Sequence, residues 1–163
     1  GVIIAPAGST VSDLIERCGG MADGHSFKGY LPGGASGGIL PASKGDIPLD
    51  FGGKLAEEGC FVGSHAVVVL SDKDNMWDAA TNLMKFFAHE SCGQCTPCRN
   101  GTEKAVSMMT AALPDTDLLG ELSLAMADAS ICGLGQAASN PLVSVMKYFP
   151  EDIGAGDKAG GQA

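Results

Sequence analysis

Three cysteines, each separated by two residues, constrain this chain more than any other feature of its sequence. Cys92, Cys95 and Cys98 lie in the segment Glu90-Ser-Cys-Gly-Gln-Cys-Thr-Pro-Cys-Arg99. Steps of three in a tight loop turn successive thiolates toward one point, and thiolates are the usual ligands of iron–sulfur clusters. Cys132, 34 positions after Cys98, is the candidate for the fourth ligand that a cubane needs. The spacing therefore predicts a [4Fe–4S] cluster bound by these four cysteines.

A structural zinc ion is the alternative, because zinc also binds four thiolates. Zinc sites usually show two separated Cys-x-x-Cys pairs, whereas this chain has one run of three and a remote cysteine. We expect Arg99 beside the anionic cluster, with an ordinary surface position as its alternative. His89 is expected at a helix end or supporting the site rather than among the ligands. Cys18 and Cys60 are expected in buried, apolar surroundings.

Net charge and hydropathy limit the classes of function. The 163 residues carry a formal net charge of −9, which argues against binding to nucleic acid or to anionic membrane surfaces. No apolar run approaches the roughly 20 residues that a membrane-spanning helix needs. Six cysteines without a secretory leader predict metal binding in the reducing cytoplasm rather than disulfides. The chain begins with Gly1, so we expect a processed protein or a fragment.

Glycine and short apolar runs dominate residues 1–72, which predicts a small α+β domain. The expected strands are four short runs, residues 2–4, 27–31, 48–51 and 66–70. Ser9 or Thr10 is placed to cap a short helix that stops before Gly19. One helix among four short strands favours a curled sheet over a single helix.

From Asn75 onward, apolar residues recur at steps of three and four, which predicts helices. The four expected helices cover residues 75–90, 99–112, 115–129 and 141–148. Asp115 is the expected N-cap of the third helix, and Pro141 suits the first turn of the fourth. Helices of this length joined by short loops predict a four-helix bundle over residues 73–150. The remaining residues, 151–163, are expected to form a disordered tail.

The cysteine segment 90–99 resembles the cluster motif of the flavoprotein subunit of respiratory complex I and its relatives. Those relatives include the diaphorase subunits of NAD-reducing hydrogenases and the beta subunits of NAD-dependent, molybdenum-containing formate dehydrogenases. Further segments are similar to the ubiquitin-like β-grasp domain that precedes the cluster in this family: residues 32–38, 48–51 and 63–69. The resemblance implies a soluble-ligand-binding β-grasp domain over residues 1–72 and a helical [4Fe–4S] domain over residues 73–150.

Within the family, the segment 128–138 looks most like the formate dehydrogenase branch. Gly133 follows the fourth cysteine at a position where complex I members more often have alanine. The resemblance therefore implies an NAD-dependent formate dehydrogenase beta subunit. The alternative is the same region of a complex I or NAD-reducing hydrogenase flavoprotein. A zinc-stapled protein-interaction module is the alternative of a different class.

The larger domain that binds FMN and NAD in this family is absent from the sequence, so the resemblance implies a chain that is not catalytic alone. Gly133 and Leu134 are the implied flavin contacts in the full assembly. The implied partners are that FMN- and NAD-binding domain, a molybdenum alpha subunit and a thioredoxin-like [2Fe–2S] gamma subunit. Electrons from formate would pass through clusters to this one and then, one at a time, to FMN.

Overall fold

The structure, a computed structural model, describes residues 1–154. The first helix, α1 (Val11–Arg17), begins where a polar side chain caps it. Thr10 Oγ1 accepts a hydrogen bond from the Asp13 N–H at 3.1 Å, and the Asp13 carboxylate accepts one from the Thr10 N–H at 2.9 Å. This reciprocal pair is a capping box. The predicted short helix is confirmed, with Thr10 rather than Ser9 as its cap.

Three short strands form one antiparallel sheet in the order β2–β1–β3. They are β1 (Phe27–Leu31), β2 (Leu40–Pro41) and β3 (Val68–Ser71). Tyr30 lies opposite Leu40 on one side and Val69 on the other. Tyr30 and Leu40 are fully buried, so the central part of the sheet faces the core. The strand predicted over residues 27–31 is confirmed, and the one predicted over 66–70 lies slightly later.

The two other predicted strands are wrong. Among the described residues, the run 2–4 pairs with no strand, and Val2 is fully exposed. Residues 48–51 contribute only a single bridge, between Pro48 and Thr10. An apolar run becomes a strand only when a neighbour satisfies its backbone groups, and proline lacks the N–H that a ladder requires.

Helices make up most of the second half of the chain. The helices after α1 are α2 (Lys54–Glu57), α3 (Met76–Glu90), α4 (Thr96–Met109), α5 (Thr116–Ala129), α6 (Gly133–Ala137) and α7 (Asn140–Tyr148). The four predicted helices are confirmed as α3, α4, α5 and α7, and Asp115 caps α5 by accepting the Leu118 N–H. Helix α3 packs on α4 and α7, and α4 packs on α5. Within the described residues, no helix has the length and apolar character to cross a membrane.

One hydrophobic cluster joins the sheet region to the helices. Leu31 and Ile39, from the sheet region, are buried in the same cluster as Met76 and Trp77 of α3. Trp77 also donates its indole N–H to the Met109 carbonyl at 3.0 Å, which fixes α3 against the end of α4. The mixed α+β class is thus confirmed. The division of the chain at residue 72 stays a prediction.

Asp152 ties the end of the described chain back to the sheet. Its carboxylate accepts hydrogen bonds from Lys28 Nζ and from the Met76 N–H, each at 2.7 Å. Asp152 lies in a 3-10 turn, Pro150–Asp152, and is buried. The predicted disordered tail therefore begins too early, because ordered structure includes residue 152. The part of that prediction beyond residue 154 lies outside the described residues.

Glu58, directly after α2, forms a second link between the two halves of the chain. Its carboxylate accepts hydrogen bonds from Lys44 Nζ at 2.5 Å, from the Tyr148 hydroxyl, and from Lys147 Nζ at 3.5 Å. These donors, Lys44 first, lower the pKa of Glu58 from 4.5 to about 2. The carboxylate is therefore anionic at neutral pH and attaches α7 to the N-terminal half.

Candidate metal centre

Three candidate ligands lie in the loop after α3 and in the first turn of α4. Gly93 has a φ of +74°, a conformation that only glycine adopts without strain, so the chain can turn sharply after Cys92. Cys95 is the N-cap residue of α4, and Pro97 fits the first turn, where its missing N–H is not needed. Cys98 follows in the same turn and is 5% exposed. The loop thus brings thiols from positions 92, 95 and 98 close together.

The fourth candidate ligand reaches the same place from the end of α5. Ser130 is the C-cap residue of α5, and Cys132 is the N-cap residue of α6. Gly135 of α6 permits the close approach, because a Cβ there would lie 2.8 Å from Cys98 Cβ and 2.5 Å from Ser130 Oγ. Helix α6 therefore packs directly against the first turn of α4.

All four cysteines line one cavity of about 310 Å³. Its wall is completed by Glu90, Ser91, Gln94, Ile131 and Leu134. Cys98 is buried, Cys95 is half-buried, and Cys92 and Cys132 are exposed. In the part of the chain that the structure describes, no three ligand-type side chains are gathered tightly enough to hold a metal ion as they stand. The thiols surround a space wider than one ion, which suits a cubane with iron at several corners.

Backbone N–H groups stabilise negative charge on Cys95. Those of Ile131 and Cys98 lie near its thiol, and their polarity holds the pKa of Cys95 below the ordinary value of 9.0. The positive end of the α4 dipole acts in the same direction. Since the thiolate is the form that binds metal, the site favours an anionic ligand at this position.

Two polar side chains support the cysteine loop. Ser91 Oγ accepts the Gly93 N–H at 3.3 Å and lies 3.4 Å from Cys98 Sγ, so its own proton is available to that sulfur. Arg99 donates from Nη1 to the Gly93 carbonyl, and its side chain is exposed. Arg99 therefore contacts the backbone of the loop rather than the wall of the cavity.

Ser130 has a buried hydroxyl close to the cysteine site. Its side chain is 5% exposed, and its Oγ has no hydrogen-bond partner among the described residues. The hydroxyl is close enough to Cys95 to contribute to the lowered pKa of that thiol, although the two do not have the geometry of a formed hydrogen bond. A buried donor without an acceptor is costly. Its position beside a candidate ligand fits a cluster held by thiolates.

The other candidate residues lie apart from the cavity. His89 is in the last turn of α3, is largely exposed, and lies 2.9 Å from Glu90 Oε1, which agrees with a helix-end position. Cys60 is buried as predicted, and that burial raises the pKa of its thiol to about 11. Cys18 is exposed, so the predicted burial is wrong. It lines a separate groove beside the first residues of the chain.

The two residues after the fourth cysteine differ in placement. Leu134 lines the cavity, whereas a Cβ on Gly133 would meet no atom within 4 Å.

Sequence reasoning missed Ser91, Ser130 and Gly135. Ser91 directly precedes the first cysteine and could have been noticed. The roles of Ser130 and Gly135 depend on the approach of α6 to α4, which has no local sequence signal.

Four thiols around one cavity in a helical region are typical of iron–sulfur proteins. Residues 78–156 match the family model described as "NADH-ubiquinone oxidoreductase-F iron-sulfur binding region". This segment contains all four cysteines of the cavity. The segment is therefore similar to that family of iron–sulfur binding regions, and its cofactor is a [4Fe–4S] cluster.

Two curated relatives illustrate the similarity over most of the chain. The F subunit of the NADH-quinone oxidoreductase of Streptomyces coelicolor is 35% identical over 154 residues, which are 91% of this chain and 34% of that protein. The HndC subunit of the NADP-reducing hydrogenase of Solidesulfovibrio fructosivorans is 34% identical over 162 residues, 95% of this chain and 33% of that protein. The chain thus spans about a third of the length of the curated relatives it matches.

A solved structure agrees with these relatives. The crystal structure of an NAD⁺-reducing [NiFe]-hydrogenase in the H₂-reduced state superposes with a TM-score of 0.78 and 28% sequence identity. The similarity covers 93% of this chain and 26% of the hydrogenase chain. Neither of these two relatives nor this structure is a formate dehydrogenase, so the family is supported and that branch of it is not.

Proposed function

We propose that this chain is the electron-transfer iron–sulfur part of a longer oxidoreductase subunit, of the type represented by the NADH-quinone oxidoreductase and hydrogenase relatives. Cys92, Cys95, Cys98 and Cys132 are the proposed cluster ligands. The observation that carries the proposal is that these thiols, from two distant parts of the sequence, line a single cavity. One-electron transfer is the chemistry that a [4Fe–4S] cluster supplies when bound.

The surrounding residues have roles that follow from their contacts. The backbone N–H groups of Ile131 and Cys98 lie near the Cys95 thiol and favour its thiolate form. The side chains of Ile131 and Leu134 contribute apolar wall beside the ligands. Arg99 is proposed to act through the loop, because it holds the Gly93 carbonyl and places a positive charge near an anionic site.

The proposed organisation is a β-grasp domain over residues 1–72 and a four-helix cluster domain over residues 73–150. The three-stranded antiparallel sheet beside α1 supports the first, and the mutual packing of the long helices supports the second. FMN and NAD are proposed to bind the part of the subunit that the longer relatives have and this chain does not match. Gly133 and Leu134 are the proposed contacts with that flavin. The open space around Gly133 would leave room for a flat ring.

The relatives favour the complex I and hydrogenase branch over formate dehydrogenase. We therefore propose that the partners are other subunits of a multi-subunit NADH- or NAD(P)-linked complex. A molybdenum alpha subunit and a thioredoxin-like gamma subunit remain the partners expected under the formate dehydrogenase hypothesis. Purification of the native complex and identification of its other subunits by mass spectrometry would distinguish the two, since only one hypothesis requires a molybdenum protein.

The ligand assignment is tested by changing each cysteine to serine in the full chain, purified without oxygen. We expect Cys92→Ser, Cys95→Ser, Cys98→Ser and Cys132→Ser each to lose or convert the cluster. Iron and acid-labile sulfide content, together with electron paramagnetic resonance of the reduced protein, are the measurements. Full cluster content in Cys132→Ser would refute the four-ligand assignment.

Two cysteines of the same chain serve as matched controls. Cys18→Ser is exposed and Cys60→Ala is buried, and both positions lie outside the cavity. Both variants should keep the wild-type iron and sulfide content. Stoichiometric zinc without sulfide in the wild-type chain would instead support the zinc-stapled interaction module. Flavin bound in equal amount to this chain alone would contradict the assignment of FMN to another domain.

A further inference from the structure

The glycine-rich segment 33–38, here called the glycine loop, is fixed by hydrogen bonds between backbone groups. The Gly33 carbonyl accepts the Ser64 N–H at 2.8 Å, and the Gly37 carbonyl accepts the Phe61 N–H at 3.2 Å. A Cβ on Gly37 would lie 2.6 Å from the Phe61 carbonyl oxygen, so this close approach of two backbones requires glycine. The loop is therefore held in one place within the N-terminal half of the chain.

The glycine loop is also bonded to the start of α7. Asn140, the first residue of that helix, donates from Nδ2 to the Ser36 carbonyl at 2.9 Å. One turn later, Ser144 Oγ accepts the N–H of Ile39, directly after the loop, at 2.8 Å, and this contact is buried. Both bonds join parts of the chain that lie more than 100 residues apart in sequence. The loop thus sets the position of the first turn of α7.

Ala35 adds an apolar contact between the glycine loop and the helices around the cysteine cavity. It packs against a buried cluster formed by Phe87, Met126 and Ala138, and Leu134 packs against the same cluster. Leu134 is also part of the cavity wall, whereas the loop itself contributes no residue to that wall. The contact between the loop and the metal site is therefore indirect.

Helix α6 connects Asn140 to the fourth candidate ligand. It spans only Gly133–Ala137 and has Cys132 as its N-cap residue. The Gln136 N–H donates to the Cys132 carbonyl at 3.2 Å, and the Gln136 side-chain amide donates to the Ser130 carbonyl at 3.0 Å. Because these bonds join the single turn to the residues on both sides of Cys132, we expect the turn and Cys132 to move together. A displacement of Asn140 would then displace Cys132 relative to the other three thiols.

We propose, on the basis of the proposed function above, that the glycine loop positions the fourth cluster ligand through Asn140. The hydrogen bond from Asn140 to the Ser36 carbonyl holds α6 and α7 where Cys132 lines the cavity. Asn140 is a positioning residue and not a ligand. The N-terminal half of the chain thereby contributes to the metal site without supplying a thiol.

Asn140→Asp separates this role from the stability of α7 itself. The side chain keeps its shape, and a carboxylate is favourable at a helix N-terminus, but at neutral pH it cannot donate to the Ser36 carbonyl. We expect the loaded chain, treated with ferricyanide and a chelator, to lose one iron per cluster about fivefold faster than wild type, the effect of one ordinary hydrogen bond. Sulfide should be retained. The measurements are the iron-to-sulfide ratio and the electron paramagnetic resonance signal of the three-iron form.

The chain offers matched controls for the helix and for the loop. Asn82→Asp makes the same chemical change at an exposed position of α3 and should lose iron at the wild-type rate. Gly37→Ala would press a methyl group against the Phe61 carbonyl and displace the loop, so it should behave like Asn140→Asp. Gly52→Ala, where a Cβ would meet nothing within 4 Å, should behave as wild type.

Asn140→Ala removes the donor without adding charge and should show the same faster loss of one iron. Wild-type rates in both Asn140 variants, or an equal increase in Asn82→Asp, would overturn the proposal. Parallel loss of iron and sulfide would also overturn it, because that result indicates a general loosening of the chain.

Hydrogen exchange in the metal-free chain decides the question if a variant takes up no cluster. Residues 133–137 should exchange about fivefold faster in both Asn140 variants than in wild type, and equal exchange would overturn the proposal. Failure of the wild-type chain to bind a cluster would instead refute the proposed function, so the two failures are distinguishable.

Discussion

Two glycines of α6 provide a matched pair for testing how the site is packed. A Cβ on Gly135 would lie 2.5 Å from Ser130 Oγ and 2.8 Å from Cys98 Cβ, whereas ordinary contact begins at 3.4 Å. A Cβ on Gly133, two residues earlier, would meet nothing within 4 Å. Replacing each by alanine adds the same methyl group to the same helix. Only Gly135→Ala adds it where there is no room.

The magnitude follows from this difference. Alanine gains about 0.5–1 kcal/mol over glycine in a helix, and this gain is common to both variants and cancels. Forcing a methyl group into a packed site costs about 1–3 kcal/mol. Gly135→Ala should therefore be less stable than Gly133→Ala by about 1–3 kcal/mol. It should also hold less cluster, because the displaced Cys98 is a proposed ligand.

The assay is anaerobic urea unfolding of the loaded chain, with iron and sulfide measured on the same samples. Gly133→Ala should match or exceed wild type in both. Equal unfolding midpoints and equal cluster content in the two variants would refute the argument, because the packing of α6 on α4 would then not control the site. In an intact flavin-containing complex the order could reverse, since Gly133 is a proposed flavin contact.

The remaining predictions concern three other parts of the molecule. Arg99→Gln should lose its cluster about threefold faster in the presence of a chelator, because the Gly93 carbonyl loses the hydrogen bond from the guanidinium. The control is Lys104→Gln, on the exposed face of α4, which should lose its cluster at the wild-type rate. Glu58→Gln should lower the free energy of unfolding by about 1–2 kcal/mol at neutral pH. The lowering of the Glu58 pKa to about 2 corresponds to roughly 3 kcal/mol, and we take a smaller value because 22% of the side chain is exposed to solvent. That difference should persist above pH 4.5 and disappear as the pH falls toward 2, as measured by urea unfolding at a series of pH values; a difference independent of pH would contradict it. Removal of the cluster should raise hydrogen exchange in the loop 91–98 and leave the sheet unchanged, and equal exchange in both forms would show that the loop is preformed.

Helix prediction succeeded where the hydrophobic period was long. Trp77, Met84 and Phe87 recur at the spacing of one helix face, and all three are buried in α3 as predicted. Helices α2 and α6 are 4 and 5 residues long, too short for a periodic signal. The strand predicted at residues 2–4 failed for the opposite reason, since a short apolar run carries no information about whether a partner strand exists.

The site shows the same division between local and long-range information. Cysteine spacing identified the three thiols of the loop, because loop geometry is encoded by neighbours in sequence. Cys132, 34 positions later, was the candidate for the fourth ligand, and it lines the same cavity. The isolated Cys18, which has no such neighbours, was predicted in the core and is exposed. Ser130 and Gly135 could not have been identified, because each has its role only after α6 has packed on the first turn of α4.

The core shared by sheet and helices has a consequence for how this region can be handled as a separate piece. The family model begins at residue 78, directly after Met76 and Trp77, which are among the most buried side chains of the chain. A polypeptide cut at that point would also lack Leu31 and Ile39, which pack in the same cluster. We therefore expect the matched segment to be less stable when it is produced without the residues that precede it. The sheet region binds no metal, but its apolar residues pack against the helices that carry the cysteines.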